Sequence, residues 1–236
     1  MDNARPTGRR PRRLVEAFSS PDSYGLVLLL ILIAYALSAA ITAAWVVSLV
    51  LPVQIATVWV TLRASRAARV ARVTANVVLV MSALAAVVNL FLHRGTLGTG
   101  LLAVLSGLLY LIAPVSIVRH LARRPVDRET VLGAIAAYLL VGMFFAFLYR
   151  ALAAFLPGLF FGSQGEGTVP QDLFFSFTTL TTTGYGNLVP AGNPGQSFAV
   201  LEMLVGQLFL VTAVAKVIST WQPGQARTGL RRPGEE

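Results

Sequence analysis

Thr181-Thr182-Thr183-Gly184-Tyr185-Gly186-Asn187 lies between two long apolar segments, and its reading decides how the rest of the chain is organised. Oxygens that replace the water around a bare cation must all face one axis. A regular helix or strand does not turn successive peptide groups that way, because its dihedrals repeat. Gly184 and Gly186 lift that limit, since a residue without a Cβ takes positive φ at no steric cost. The carbonyls of Thr182, Thr183, Gly184 and Tyr185 can therefore turn inward together, and the Thr182 hydroxyl adds a further oxygen.

The composition around this stretch is that of a membrane protein. Hydrophobic residues make up 56%, charged residues 12%, and the mean hydropathy is +0.71, which excludes an ordinary soluble domain. Apolar runs long enough to cross a bilayer fall at about Tyr24–Ile41, Trp45–Leu62, Ala75–Leu92, Leu97–Val118, Thr130–Tyr149 and Gln196–Ile218. The expected fold class is an all-α membrane protein of six transmembrane helices, with the Thr181–Asn187 stretch in a re-entrant segment between the last two. Basic residues orient it. Arg5, Arg9, Arg10, Arg12 and Arg13 precede the first span, Arg63, Arg66, Arg69 and Arg72 follow the second, Arg119, Arg123, Arg124 and Arg128 follow the fourth, and Lys216, Arg227, Arg231 and Arg232 close the chain. These are alternate loops, with only Arg94 and Arg150 on the other side, so both termini are expected in the cytoplasm. The net charge of +9 and the pI near 11.0 follow from this topology and do not call for nucleic acid. The cluster Arg9-Arg10-Pro11-Arg12-Arg13, with Leu14, Val15 and Phe18 at helical spacing, reads either as a contact to anionic inner-leaflet lipid or as a solvated tail. Ser19-Ser20-Pro21-Asp22 reads as a helix start.

From Leu173-Phe174-Phe175-Ser176-Phe177-Thr178-Thr179-Leu180 through the glycine stretch to Leu188-Val189-Pro190, Gly195 and Gly206, the chain resembles the potassium-channel pore domain. The resemblance covers about residues 130–220, and Gly206 keeps the family's spacing of twenty residues from the last filter glycine, Gly186. It implies that Thr182, Thr183, Gly184, Tyr185 and Gly186 form a selectivity filter, coordinating K+ through backbone carbonyls and the Thr182 hydroxyl. It also implies a homotetramer, since one chain supplies one filter segment and a ring of this type needs four.

Within that frame the outer helix is the fifth span, and Pro157-Gly158 with Gly162, Gly165 and Gly167 reads as an extracellular turret. Thr168-Val169-Pro170-Gln171-Asp172 reads as the start of a pore helix, with proline early and an acid near its positive end. On the inner helix Gly206 is the candidate gating hinge, with close packing as the alternative, and Gln207, Leu210 and Val214 are candidate cavity residues. Glu202 is the sole acid of that span, directed to the back of the filter or to Arg150. Three departures from the family pattern stand out. Asn187, at the outer mouth, replaces the usual Asp, Thr183 replaces the frequent Val, and Phe174 and Phe175 lack the polar tip of an aromatic cuff.

Arg63, Arg66, Arg69 and Arg72 repeat at every third position, as in a voltage-sensing helix, but no Asp or Glu between Asp22 and Asp127 is present to pair with them. They are expected to form a cytoplasmic loop. Asn76, Asn89, Pro52, Gly98, Gly100 and Gly107 read as helix packing and polar contacts among the first spans. The expected organisation is a basic cytoplasmic segment over 1–22, a four-helix accessory membrane domain over 23–124, a pore domain over 125–220 and a short cytoplasmic tail over 221–236. There is no cysteine, His93 and His120 are isolated interfacial residues, and no catalytic triad, metal cluster or phosphate loop is visible, so neither an enzyme nor a cofactor is expected. The functional expectation is passive potassium conduction in the plasma membrane. Its alternatives are a weakly selective monovalent cation channel and a non-conducting regulatory membrane subunit.

Overall fold

The computed structural model describes residues 24–40, 46–65, 73, 75–83, 96–123 and 125–220. Among these residues the regular structure is helical, with no strand. We number the helices α1 (Tyr24–Ala40), α2 (Val46–Ala64), α3 (Thr96–Leu121), α4 (Arg128–Phe155), α5 (Val169–Leu180) and α6 (Gly195–Thr220). A single 3-10 turn, Gly162–Gln164, interrupts the loop between α4 and α5, and residues 75–83 are also helical. Three described helices are long and apolar enough to cross a membrane, Leu97–Leu121, Arg128–Phe155 and Gly195–Ser219, and Tyr24–Ala39 is a shorter apolar helix. The expected helix start at Ser19–Asp22, the basic cluster at 9–13, Asn89 and His93 lie outside the described residues.

Apolar composition makes these helices, and specific polar residues end them. Asp127 caps α4 by accepting from the Thr130 backbone N–H at 2.7 Å, while Glu129 stands in the first turn, where the helix dipole favours an acid. Glu129 also accepts from the Tyr24 backbone N–H at 2.8 Å, which ties the beginning of α1 to the beginning of α4. α4 stops where Leu156 turns extended ahead of Pro157. At α5 the Thr168 side chain accepts from the Gln171 N–H while the Gln171 side chain accepts from the Thr168 N–H, a reciprocal capping box with Pro170 in the first turn.

α3 and α4 pack along each other most extensively, α1 leans on α2, α4 and α5, and α5 is held between α4 and α6. The main core joins Tyr24, Ile31, Tyr110, Ile117, Met143 and Leu173. Small residues let the helices approach, for Gly107 of α3 faces Phe144 and Phe147 of α4, and Gly142 of α4 receives the Phe177 ring of α5. A second, aromatic cluster of Phe145, Tyr149, Phe160, Phe161 and Phe175 joins the C-terminal half of α4 to the loop that follows it and to α5. Between α2 and α3 the buried Gln54 side chain donates to the Ser106 carbonyl at 3.2 Å, a polar link that the apolar reading of these spans did not contain. Pro114 lies inside α3, tolerated where neighbouring helices cover the interrupted backbone. Arg63 ends α2 with its guanidinium 4.4 Å from the centroid of the exposed Trp59 ring, while Arg66, Arg69 and Arg72 lie outside the described residues.

Candidate functional site

The Thr181–Asn187 stretch hangs from the C-terminal end of α5. The last carbonyls of that helix lack helical partners and accept from the N–H groups that follow: Phe177 from Thr181 at 3.1 Å, Thr179 from Thr182 at 2.9 Å, and Thr178 from both Thr183 at 2.8 Å and Gly184 at 3.1 Å. In a trans peptide the carbonyl points opposite to the N–H of the same plane. With the N–H groups of Thr183 and Gly184 turned toward α5, the carbonyls of Thr182 and Thr183 point away from it. The backbone then alternates in hand, with positive φ at Thr182 (57°), Gly184 (52°) and Gly186 (79°) and not at Thr183 or Tyr185. Alternating-handed dihedrals set successive N–H groups on one side and successive carbonyls on the other. The carbonyls of Thr182 and Thr183 thus lie on the side away from α5, within a stretch, 181–187, that is exposed throughout.

Thr182 is the sole non-glycine residue at positive φ among the described residues, and it was not foreseen. The signal available was the two-residue period it shares with Gly184 and Gly186. Its hydroxyl donates to the Thr181 carbonyl at 2.7 Å and accepts from the Gln207 amide of α6 at 3.1 Å. Gln207 thus reaches the start of the Thr182–Gly186 stretch, whereas Leu210 and Val214 lie further along α6 on exposed surface. Tyr185, 71% exposed in the single chain, stacks on Phe174 with ring centroids 5.7 Å apart. This places an apolar ring where a cuff with a polar tip was missing. Asn187 is exposed and flanks a cavity of about 330 Å³ lined by Gln164, Pro170, Gln171, Phe174 and Leu188.

α5 and α6 meet in register. Ser176 and Leu180 are one turn apart on α5, Glu202 and Gly206 one turn apart on α6, and the pairs face each other. At the first level Ser176 Oγ stands 2.5 Å from Glu202 Oε1 and 2.7 Å from the Gly142 carbonyl of α4, while the Tyr149 hydroxyl donates to Glu202 Oε2 at 2.7 Å. Glu202, fully buried, therefore contacts Ser176 of α5 and Tyr149 of α4 and not Arg150. At the second level a Cβ on Gly206 would fall inside contact distance of the Leu180 carbonyl, to which the Tyr138 hydroxyl donates at 3.2 Å. Close packing thus gives Gly206 a reason of its own, and α6 continues through it unbroken.

At the other end of α5, Arg150 donates to the Gly167 carbonyl at 2.6 Å and lies 3.5 Å from the buried Asp172 carboxylate. Burial pushes the Asp172 carboxyl up to about 8, with the Arg150 charge pulling the other way. Lys216, near the far end of α6, donates to the Leu121 carbonyl at 2.5 Å and so links the inner helix to the end of α3. The rings of His120 and Tyr24 lie 6.5 Å apart between centroids. Among the described residues no cluster of metal-ligating side chains exists.

Among the described residues the chain is a helical bundle with three helices long and apolar enough to cross a membrane, and a short helix between the last two leads into a stretch of alternating backbone hand. A family model described as ion channel matches residues 133–222, so this part of the chain, from the first turns of α4 through α6, is similar to that family. Curated relatives agree over the same kind of length. The Potassium voltage-gated channel protein shk-1 of Caenorhabditis elegans is 31% identical over 81 residues, 32% of this chain and 15% of the relative. The Voltage-gated potassium channel regulatory subunit KCNG1 of Homo sapiens is 31% identical over 86 residues, 34% of this chain and 17% of the relative. The Voltage-gated delayed rectifier potassium channel KCNH5 of Homo sapiens is 33% identical over 67 residues, 28% of this chain and 7% of the relative. The chain thus spans less than a fifth of the length of these relatives. No solved structure matches it.

Proposed function

We propose that this chain is the subunit of a potassium-selective channel, in which four copies surround one axis and K+ passes down its electrochemical gradient. The observation that carries this reading is the alternation of positive φ at Thr182, Gly184 and Gly186 beside a pore helix whose terminal carbonyls hold the filter N–H groups. Carbonyls of Thr182, Thr183, Gly184 and Tyr185, with the Thr182 hydroxyl, take the place of water around the ion. α5 is then a re-entrant pore helix whose negative end faces the cavity, α4 the outer helix and α6 the inner helix. The exposed apolar face of α6, with Leu204, Leu208 and Val211, and the exposed filter are the surfaces that neighbouring copies and lipid cover. Six spans, both termini in the cytoplasm and the filter at the extracellular side of the plasma membrane complete the arrangement, with the first four spans as an accessory domain.

The test is a bilayer recording of the purified full chain under opposed potassium and sodium gradients. A reversal potential close to that of potassium is expected. A value near zero gives the pore to a weakly selective monovalent cation channel. One observation favours a further reading: a relative 31% identical over 86 residues is named a regulatory subunit. A chain that assembles with fourfold stoichiometry in the bilayer and passes no current supports that reading over conduction by the homotetramer.

A further inference from the structure

Glu202 stands at a junction where the protons can be counted. Three short contacts meet there: Tyr149 hydroxyl to Glu202 Oε2 at 2.7 Å, Ser176 Oγ to Glu202 Oε1 at 2.5 Å, and Ser176 Oγ to the Gly142 carbonyl at 2.7 Å. Each is a hydrogen bond only if a proton lies in it. The Gly142 carbonyl accepts and never donates, and the two hydroxyls bring one proton each. An ionised Glu202 brings none, so one of the three contacts would set two oxygen lone pairs against each other at hydrogen-bond distance. A protonated Glu202 supplies the third proton. Ser176 then donates to Gly142, Glu202 to Ser176, and Tyr149 to the other carboxyl oxygen.

The surroundings agree. Glu202 has no exposed surface, and no described cation pairs with it: Arg150 of α4 is engaged by Gly167 and Asp172, and Tyr138 of α4 gives its proton to the Leu180 carbonyl. An isolated carboxylate in such a place is expensive, whereas a neutral acid with both oxygens in hydrogen bonds is not. The junction also has a definite reach. Ser176 lies on the helix whose next turns hold the filter N–H groups, so whatever fixes Ser176 against α4 and α6 fixes the support of the carbonyl row.

We propose that Glu202 is a neutral carboxylic acid whose proton closes a Tyr149–Glu202–Ser176–Gly142 chain, and that it acts as a positioning residue holding the pore helix between the outer and inner helices. The positioning role rests on the channel reading above; the protonation state does not. It is tested on the full chain reconstituted in lipid, by infrared spectroscopy with 13C-labelled glutamate at neutral pH. The expected result is a protonated-carboxyl stretch that moves with the label and disappears in Glu202→Gln. The glutamine variant keeps a proton in each of the three contacts, since its amide donates to Ser176 and its carbonyl accepts from Tyr149. Its tetramer yield and potassium-to-sodium permeability ratio are expected within about twofold of the unchanged protein. Glu202→Leu leaves two buried hydroxyls short of a partner and is expected to lower both by about tenfold. Only ionised-carboxylate bands for Glu202 at neutral pH would overturn the proposal, as would a leucine variant equal to the glutamine one. If the chain carries no current, the infrared band and the tetramer yield still decide it.

Discussion

Gly206→Ala separates packing from hinge motion, and its size follows from the geometry. The new Cβ would fall inside contact distance of the Leu180 carbonyl oxygen, 3.0 Å from Leu180 Cδ1 and 3.3 Å from the Leu180 carbonyl carbon. The side chain of Leu180 has little room to yield because it is buried, and its carbonyl is held by the Tyr138 hydroxyl at 3.2 Å. Overpacking of this kind costs about 1–3 kcal/mol, and a backbone obstacle places it near the upper end. Alanine recovers about 1 kcal/mol as the better helix former, leaving a net loss of about 2 kcal/mol per subunit. Gly107→Ala is the control, since its Cβ would meet only ordinary contacts, the nearest Phe147 Cβ at 3.8 Å. The measurement is the temperature at which the detergent-solubilised tetramer dissociates, followed by potassium flux from vesicles. Gly206→Ala should dissociate at lower temperature and conduct less, while Gly107→Ala should match or exceed the unchanged protein. If Gly206→Ala keeps full thermal stability with altered opening, the register between α5 and α6 derived from this contact is wrong and the hinge reading stands instead.

Gly184→Ala puts a Cβ at φ 52°, where nothing crowds it, so the cost is the left-handed backbone alone, about 1–2 kcal/mol per subunit and four times that around a ring. Potassium flux should fall sharply with insertion intact, and normal selective flux would remove Gly184 from the filter. Arg150→Leu removes the charge-assisted donor to the Gly167 carbonyl and the cation beside Asp172, whose carboxyl then stays neutral, and should cost about 1.5–3 kcal/mol in a denaturation series; combined with Asp172→Asn the loss should be less than the sum of the two single changes, and strict additivity would refute the pairing. Asn187→Asp adds a carboxylate at the exposed outer mouth, so single-channel inward conductance should rise at low salt and the gain should shrink as the Debye length falls to about 10 Å at 0.1 M. A gain independent of salt would show that Asn187 does not set the potential there.

Much of the local structure was legible because it is decided within a few residues. The apolar runs at 24–41, 45–62, 97–118, 130–149 and 196–218 appear as α1, α2, α3, α4 and α6 with boundaries shifted by a few residues. α4 runs beyond Tyr149 to Phe155 because Arg150 finds Asp172 and the Gly167 carbonyl and so does not end the helix. Thr168 and Asp172 were read as the start of α5 from proline and charge, and the reciprocal bond from Gln171 completes that start. Thr182 escaped, since a threonine carries no general tendency to positive φ and takes it here only because the flanking N–H groups are bound to the end of α5.

What the sequence by itself determined is the set of apolar segments, their caps and the backbone freedom at Gly184 and Gly186, all properties of residues close together in the chain. Only the tertiary structure decided which faces meet. Glu202 could have turned to Arg150 or to the back of the filter, and helical periodicity assigns a face without naming its neighbour. Packing α5 between α4 and α6 one turn at a time set Ser176 against Glu202, Leu180 against Gly206 and Thr182 against Gln207, because close-packed helices have few registers in which side chains and small residues interlock without a void.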